Sequence, residues 1–173
     1  MIDRIMGVFR LNSSTFEEIE HDSGATGQAA LVVLIVALLS AIGSGLGAGL
    51  SEDGSFFPSF LGSLVWAFLG WFLWSLVSWF VGTSIFGGRA TVDEMLRVIG
   101  FAQAPMILGI IPCIGWLIGG IWALIAGFIA IRQGLDLDNL KALLTIAIGF
   151  IVYLIGMAVV GVITGIGRGL FGF

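Results

Sequence analysis

The stretch FAQAPMILGIIPCIGWLIGGIWALIAGFIAIRQ, residues 101–133, decides the topology of this chain. It carries no charge before Arg132. As a single helix it would be about 50 Å long, against a hydrocarbon core of about 30 Å. It therefore crosses a membrane once, tilted and overlong, or twice around a tight turn. Pro105 removes a backbone donor and predicts a kink. Pro112, followed three residues later by Gly115, is turn chemistry, and the residue before a proline resists the helical region. These signals break the helix near 111–115 and predict two crossings. Residues Ile111 to Trp116 hold no charge, and irregular backbone exposed to lipid is not tolerated. The turn must reach the interface, with Trp116 as an anchor, or be shielded by protein, and the third span is short or re-entrant.

The rest of the chain sets the scene for that reading. Hydrophobic residues make up 58% and charged residues only 10%, where a soluble domain carries about a quarter charged. The apolar residues fall in blocks near or above the roughly 20 needed to span a bilayer. The expected fold is an all-α integral membrane protein: a five-span bundle preceded by an interfacial amphipathic helix. The spans are expected at about 29–50, 60–86, 95–111, 115–132 and 140–166, within a membrane domain over 29–173. Thr91 and Glu94 form a capping box that starts a helix at Val92, and Asp138 caps the last span.

Positive charge gives an independent reading. With five spans and the N-terminus inside, Arg4, Arg10, Arg89, Arg97, Arg132 and Lys141 lie inside and only Arg168 lies outside. With four spans, Arg132 and Lys141 move out and Arg168 moves in. The positive-inside rule favours five spans in the cell membrane, with the N-terminus in and the C-terminus out.

Residues 1–28 are expected to form cytoplasmic surface helices. Ile2, Ile5, Met6 and Phe9 recur at helical spacing with Asp3, Arg4 and Arg10 opposite, the pattern of a helix lying in the interface. Ser14 with Glu17, or Thr15 with Glu18, offers a second capping box, and an unstructured tail is the competing reading. His21, beside acidic residues, is expected to be solvated.

The span cores contain no Asp, Glu, Lys, Arg or His, the usual marks of an ion path or proton relay. Ser75 and Ser78 lack a base in sequence reach, and Cys113 is the single cysteine. No catalytic residue, cofactor or metal site is expected, and no nucleic acid. Gly43, Gly45, Gly47 and Gly49 mimic a nucleotide loop but neither follow a strand nor open a helix. Small residues instead mark helix packing: Gly43 and Gly47, then Gly115, Gly119, Ala123 and Gly127, then Gly161 and Gly165. Such faces pack within the monomer or against another subunit. Trp71 and Trp74 lie too deep to be interfacial; they fill the core, face lipid, or stack on a lipid, quinone or pigment. Gln103, two residues before Pro105, either satisfies backbone groups freed by the kink or lines a small polar cavity.

The segment IFGGRATVDEMLRVIGFAQAPMILGIIPCIGWLIGGIW resembles the prokaryotic branch of the Yip-one family, membrane proteins named for interacting with Ypt/Rab GTPases. The shared features are a span ending in FGG and a capped helix, followed by Gly100-Phe101 to Pro105, then Ile111-Pro112 and Gly115. The acid-flanked LDLDNLKA and the N-terminal Phe16-Glu17-Glu18-Ile19 extend the resemblance over nearly the whole chain. It implies five spans with a cytoplasmic N-terminus. Eukaryotic members also imply vesicle traffic and Rab binding, but they carry a larger N-terminal domain and an Asp-Leu-Tyr-Gly-Pro motif that this sequence lacks. Fold and topology transfer; the GTPase does not.

The functional expectation is a non-catalytic, Yip-like scaffold acting through helix packing and contacts with the bilayer. A small accessory subunit of a larger transporter or electron-transfer complex is the alternative, and a small channel or carrier comes third. The expected partners are the lipid bilayer and another membrane subunit or a second copy of the chain.

Overall fold

The computed structural model describes residues 1–49, 56–111 and 114–164, with side chains omitted at 43–49, 157 and 160–164. The described residues form seven α-helices and one 3-10 segment. They are α1 (Ile2–Phe9), α2 (Ser13–His21), α3 (Ala25–Gly49), α4 (Phe56–Ser84), α5 (Val92–Ala102), the 3-10 segment (Ala104–Ile110), α6 (Gly115–Gly134) and α7 (Asn139–Thr164). Helices α3, α4, α6 and α7 each contain a window long and apolar enough to cross a membrane. Their outer faces are apolar: Phe57, Leu61, Leu124, Leu143, Ile151 and Ile155 are all exposed. A soluble domain buries such residues; here the hydrocarbon is the solvent.

The expected third span is a broken rod. The helix does not continue through Pro105 with a kink; its α geometry ends at Ala102. Ala104 precedes a proline and Pro105 has no N–H to return to Phe101, so the chain tightens. Gln103 N–H bonds Gly100 at 3.3 Å and Met106 N–H bonds Gln103 at 2.9 Å, both i to i−3. This rod runs antiparallel to α6. A Cβ built on Gly134 would lie 2.9 Å from the Val98 side chain, and one on Gly119 would lie 2.7 Å from the Pro105 carbonyl oxygen. The chain thus passes from one end of α6 to the other before α6 returns. Pro112 and Cys113 lie outside the described residues.

The core sits around α5. Met95, Arg97, Val98, Ile99, Gly100, Phe101 and Ala102 are buried, enclosed by α1, α2, α3, α4 and α6. Three signals start and stop these elements as expected. Thr91 and Glu94 form a reciprocal capping box, Asp138 accepts from the Lys141 N–H at 2.9 Å, and α6 begins at Gly115. Helix α2 differs. Its N-cap is Asn12, accepting from Ser14 N–H at 3.1 Å, and neither expected Ser or Thr box forms. Asn competes well at this position, and its Oδ1 takes up an amide of the first turn that no intrahelical carbonyl reaches.

Two second-span tryptophans serve as braces. The Trp71 indole donates to the Leu96 carbonyl at 3.1 Å, and Trp79 donates to the Ala90 carbonyl at 2.9 Å. Trp79 is therefore a brace for the entry to α5. Indole N–H groups at membrane depth need a partner, and these find backbone.

Candidate functional site: the N-terminal cap and its anchors

Helices α1 and α2 have 8 and 9 residues. Isolated helices this short are marginal in water. What holds them is a set of side chains from the bundle that meet their C-terminal carbonyls, which no intrahelical donor reaches.

Arg97 is the first anchor. Its side chain is 6% exposed. Its Nε and Nη2 donate to the Glu20 carbonyl oxygen, in the last turn of α2, at 3.2 and 2.6 Å. Nη1 donates to Asp93, one turn back on α5, and to Thr26 Oγ1 at 3.3 Å. A buried guanidinium is costly unless paired and hydrogen-bonded; here a carboxylate, a hydroxyl and a helix C-terminus supply partners. Trp122 is the second anchor. Its Nε1 donates at 2.9 Å to the carbonyl of Phe9, the last residue of α1. Helix α1 then ends in a Schellman pattern, with Asn12 N–H on Gly7 and Leu11 N–H on Val8, and Leu11 in the left-handed region at φ 55°.

A polar layer completes the attachment. Arg132 Nη2 donates to Ser13 Oγ at 3.0 Å, and Gln133 Nε2 donates to Glu17 at 3.0 Å. Arg4 ties α1 to α2 through Glu18 at 2.9 Å and Asp22 at 2.7 Å, and reaches Gln28 of α3. The Arg4 hydrogen bond, followed by the Gly24 N–H, holds the Asp22 carboxyl below its usual range. Burial pushes the Glu20 carboxyl up to about 7. His21 is exposed, with Nδ1 2.8 Å from the Glu17 carbonyl, and its pKa is raised mainly by that contact.

The predicted α1 face divides in two. Ile5 and Phe9 pack against the core, with Val8 fully buried beside them. Ile2 is 73% exposed and Met6 48% exposed, an apolar edge facing outward. The residues missed by sequence reasoning are the anchors: Arg97, Trp122, Arg132 and Gln133. Arg97 had one visible signal, a lone cation in the otherwise apolar run from Met95 to Phe101.

The small-residue row on α6 also divides. Gly115 and Gly119 are buried against the 3-10 segment, with Leu108 and Pro105 carbonyls where a Cβ would stand. Gly127 has nothing within 4 Å of that position. Ala123 and Gly127 line a cavity together with Gln103. Gln103 makes no side-chain hydrogen bond among the described residues, so it does not satisfy the backbone at the break; it lines the cavity instead. Gly43, Gly47 and Gly161 fall in α3 and α7, but their packing, like Gly165 and Pro112 altogether, lies outside the described residues. Among the described residues, no group of three His, Cys, Asp or Glu is placed to hold a metal ion.

The sequence profile of the Yip1 domain family matches residues 6–162, from within α1 to the last turn of α7. Neither a curated protein nor a solved structure matches the chain.

Proposed function

Because the chain belongs to the Yip1 domain family, we propose that it is a non-catalytic membrane scaffold, which uses its anchored N-terminal cap to hold an apolar helix edge in the bilayer surface. The observation that carries this reading is the combination of anchor and edge. Trp122 and Arg97 fasten α1 and α2 to the bundle, while Ile2 and Met6 remain exposed. An apolar edge on an anchored helix binds the interface without paying the ordering entropy at the moment of contact. The cap stands on the cytoplasmic side of the cell membrane, with the C-terminus outside; the distribution of basic residues supports this orientation.

The partners in this reading are lipid and a second membrane chain, either another copy or a different subunit. Gly115 and Gly119 serve packing within the monomer, because their close neighbours are Leu108 and Pro105. The outward face of α6, with Trp116, Ile121 and Leu124 exposed, remains for a partner or lipid.

Gentle solubilisation from native membranes followed by mass determination tests the proposal. A species at one or a small multiple of 18.3 kDa supports the scaffold. A fixed heteromeric complex supports the accessory-subunit reading. Orientation is tested with Arg89→Cys in a Cys113→Ser background. Labelling of intact cells by a membrane-impermeant thiol reagent would place the cap outside and overturn the assignment.

A further inference from the structure

A cavity of about 300 Å³ lies between α4, α6 and α7, at the level where α5 gives way to the 3-10 segment. Its walls are apolar and largely aromatic: Trp74, Phe128, Ile146 and Phe150. The Trp74 ring meets Tyr153 edge-on at 5.5 Å and Phe150 at 6.5 Å. Three of its lining residues carry polar groups, Gln103, Tyr153 and the indole of Trp74, and none is charged. The Tyr153 hydroxyl stands at the α4 side of the site, 3.0 Å from where a Cβ on Gly70 would lie. None of the three side chains makes a hydrogen bond among the described residues. Polar groups in apolar surroundings are expensive to leave unpaired, and donors gathered around one cavity favour a ligand that accepts from them. Leu124, on the lining, is 73% exposed and Phe150 is 53% exposed, so the site opens onto the hydrocarbon.

We propose that this cavity binds the flat, uncharged, carbonyl-bearing head of a membrane-soluble lipid of the quinone class. The absence of charge on the lining selects a neutral ligand, since a buried ion would have no counter-charge. The aromatic walls select a planar head. The Gln103 NH₂ and the Tyr153 O–H are donors that suit carbonyl acceptors. The volume is at the low end for ligand pockets, enough for a substituted ring but not for a whole lipid. The isoprenoid or alkyl tail leaves past Leu124 and Phe150 into the bilayer. Gly127 keeps the floor open, which accounts for a small residue at a position with no close neighbour. The inference goes beyond the scaffold reading and is independent of it: a heteromeric complex would remove that reading and leave this site intact.

The test uses the full chain in lipid nanodiscs with a decyl-substituted benzoquinone as the probe, read by quenching of tryptophan fluorescence. Saturable quenching is expected, and Trp74→Phe removes most of its amplitude. Gln103→Leu and Tyr153→Phe each weaken binding about two- to twelvefold, the effect of one lost hydrogen bond. Gly127→Leu, which fills the open floor, abolishes it and serves as the second variant where Gln103→Leu does not fold. Unsaturable quenching, equal in parent and variants, would show mere partitioning into lipid and overturn the proposal. Displacement of the probe by diolein at equal concentration would show a general neutral-lipid site and overturn the quinone assignment.

Discussion

The indole Nε1 of Trp122 donates to the main-chain carbonyl of Phe9 at 2.9 Å, joining the end of the first helix to the middle of α6 across 113 residues. Trp122 lies ten positions before Arg132, which holds the start of α2 through Ser13. At helical rise that is about 15 Å along α6.

Trp122→Phe removes the donor and keeps the ring. One neutral hydrogen bond is worth about 0.5–1.5 kcal/mol. Amide exchange of α1 should quicken about two- to twelvefold by hydrogen–deuterium mass spectrometry, with α4 and α7 unchanged. Equal protection of α1 in both proteins would show that the bond contributes nothing.

Arg97→Ala leaves the Glu20 carbonyl and Asp93 without their partner. Asp93 is largely exposed and rehydrates, so the loss falls mainly on the hydrogen bonds from the charged guanidinium to the Glu20 carbonyl, about 1.5–3 kcal/mol. Arg97→Lys keeps the charge and loses the fork, so it should fall between parent and alanine in melting temperature. A lysine variant as stable as the parent would mean that charge alone suffices.

Protonation of Glu20 gives the cap a pH dependence. Its carboxyl is pushed up to about 7 from an ordinary 4.5, chiefly by burial, with Asp136, Glu94 and Glu17 adding to the rise and His21 opposing it. The main-chain carbonyl of the same residue holds Arg97. An acid raised in the folded state binds its proton more tightly there, so the folded state is favoured while the group is protonated. This contribution is full below pH 4.5 and is lost as pH rises through about 7. Amide protection of α2 should drop over that window, and Glu20→Gln should flatten the profile. A parent profile already flat would remove Glu20 from the account.

The two halves of the α6 glycine row should respond oppositely to alanine. At Gly119 a Cβ meets the Pro105 carbonyl oxygen at 2.7 Å, so Gly119→Ala forces the backbones apart and lowers the melting temperature. At Gly127 the space is open, and alanine gains about 0.5–1 kcal/mol of helix propensity. Equal effects at both positions would show that close approach does not govern this helix pair.

What the sequence made legible follows from what is local. The Thr91–Glu94 box, the Asp138 cap and the start of α6 at Gly115 are each set by residues within a few positions, and each can be read in order. Pro105 announced a disturbance, but whether it kinks or ends a helix depends on what shelters the break. Here Gly115 and Gly119 of α6 do so, and the rod can tighten into 3-10 geometry. The partners of the anchors were invisible because they are non-local. Nothing near Trp122 says that its indole will find Phe9, and the spacing of Ile5 and Phe9 cannot distinguish a lipid-facing edge from a protein-facing one. The five-span expectation likewise turned on a segment divided between α5 and a 3-10 segment, where no single helix meets the length of a span; α3, α4, α6 and α7 do.

The central claim is that α1 is a folded helix fastened to the bundle with Ile2 and Met6 turned to the bilayer. Spin labels at Met6→Cys and Asp3→Cys, each on a Cys113→Ser background in nanodiscs, test it most directly. The account predicts that the label at position 6 collides with oxygen more than with a water-soluble nickel complex. The label at position 3 should do the reverse, and both should report restricted motion. Two mobile labels with equal access to the nickel complex would mean an unfolded tail in water, and would contradict the account.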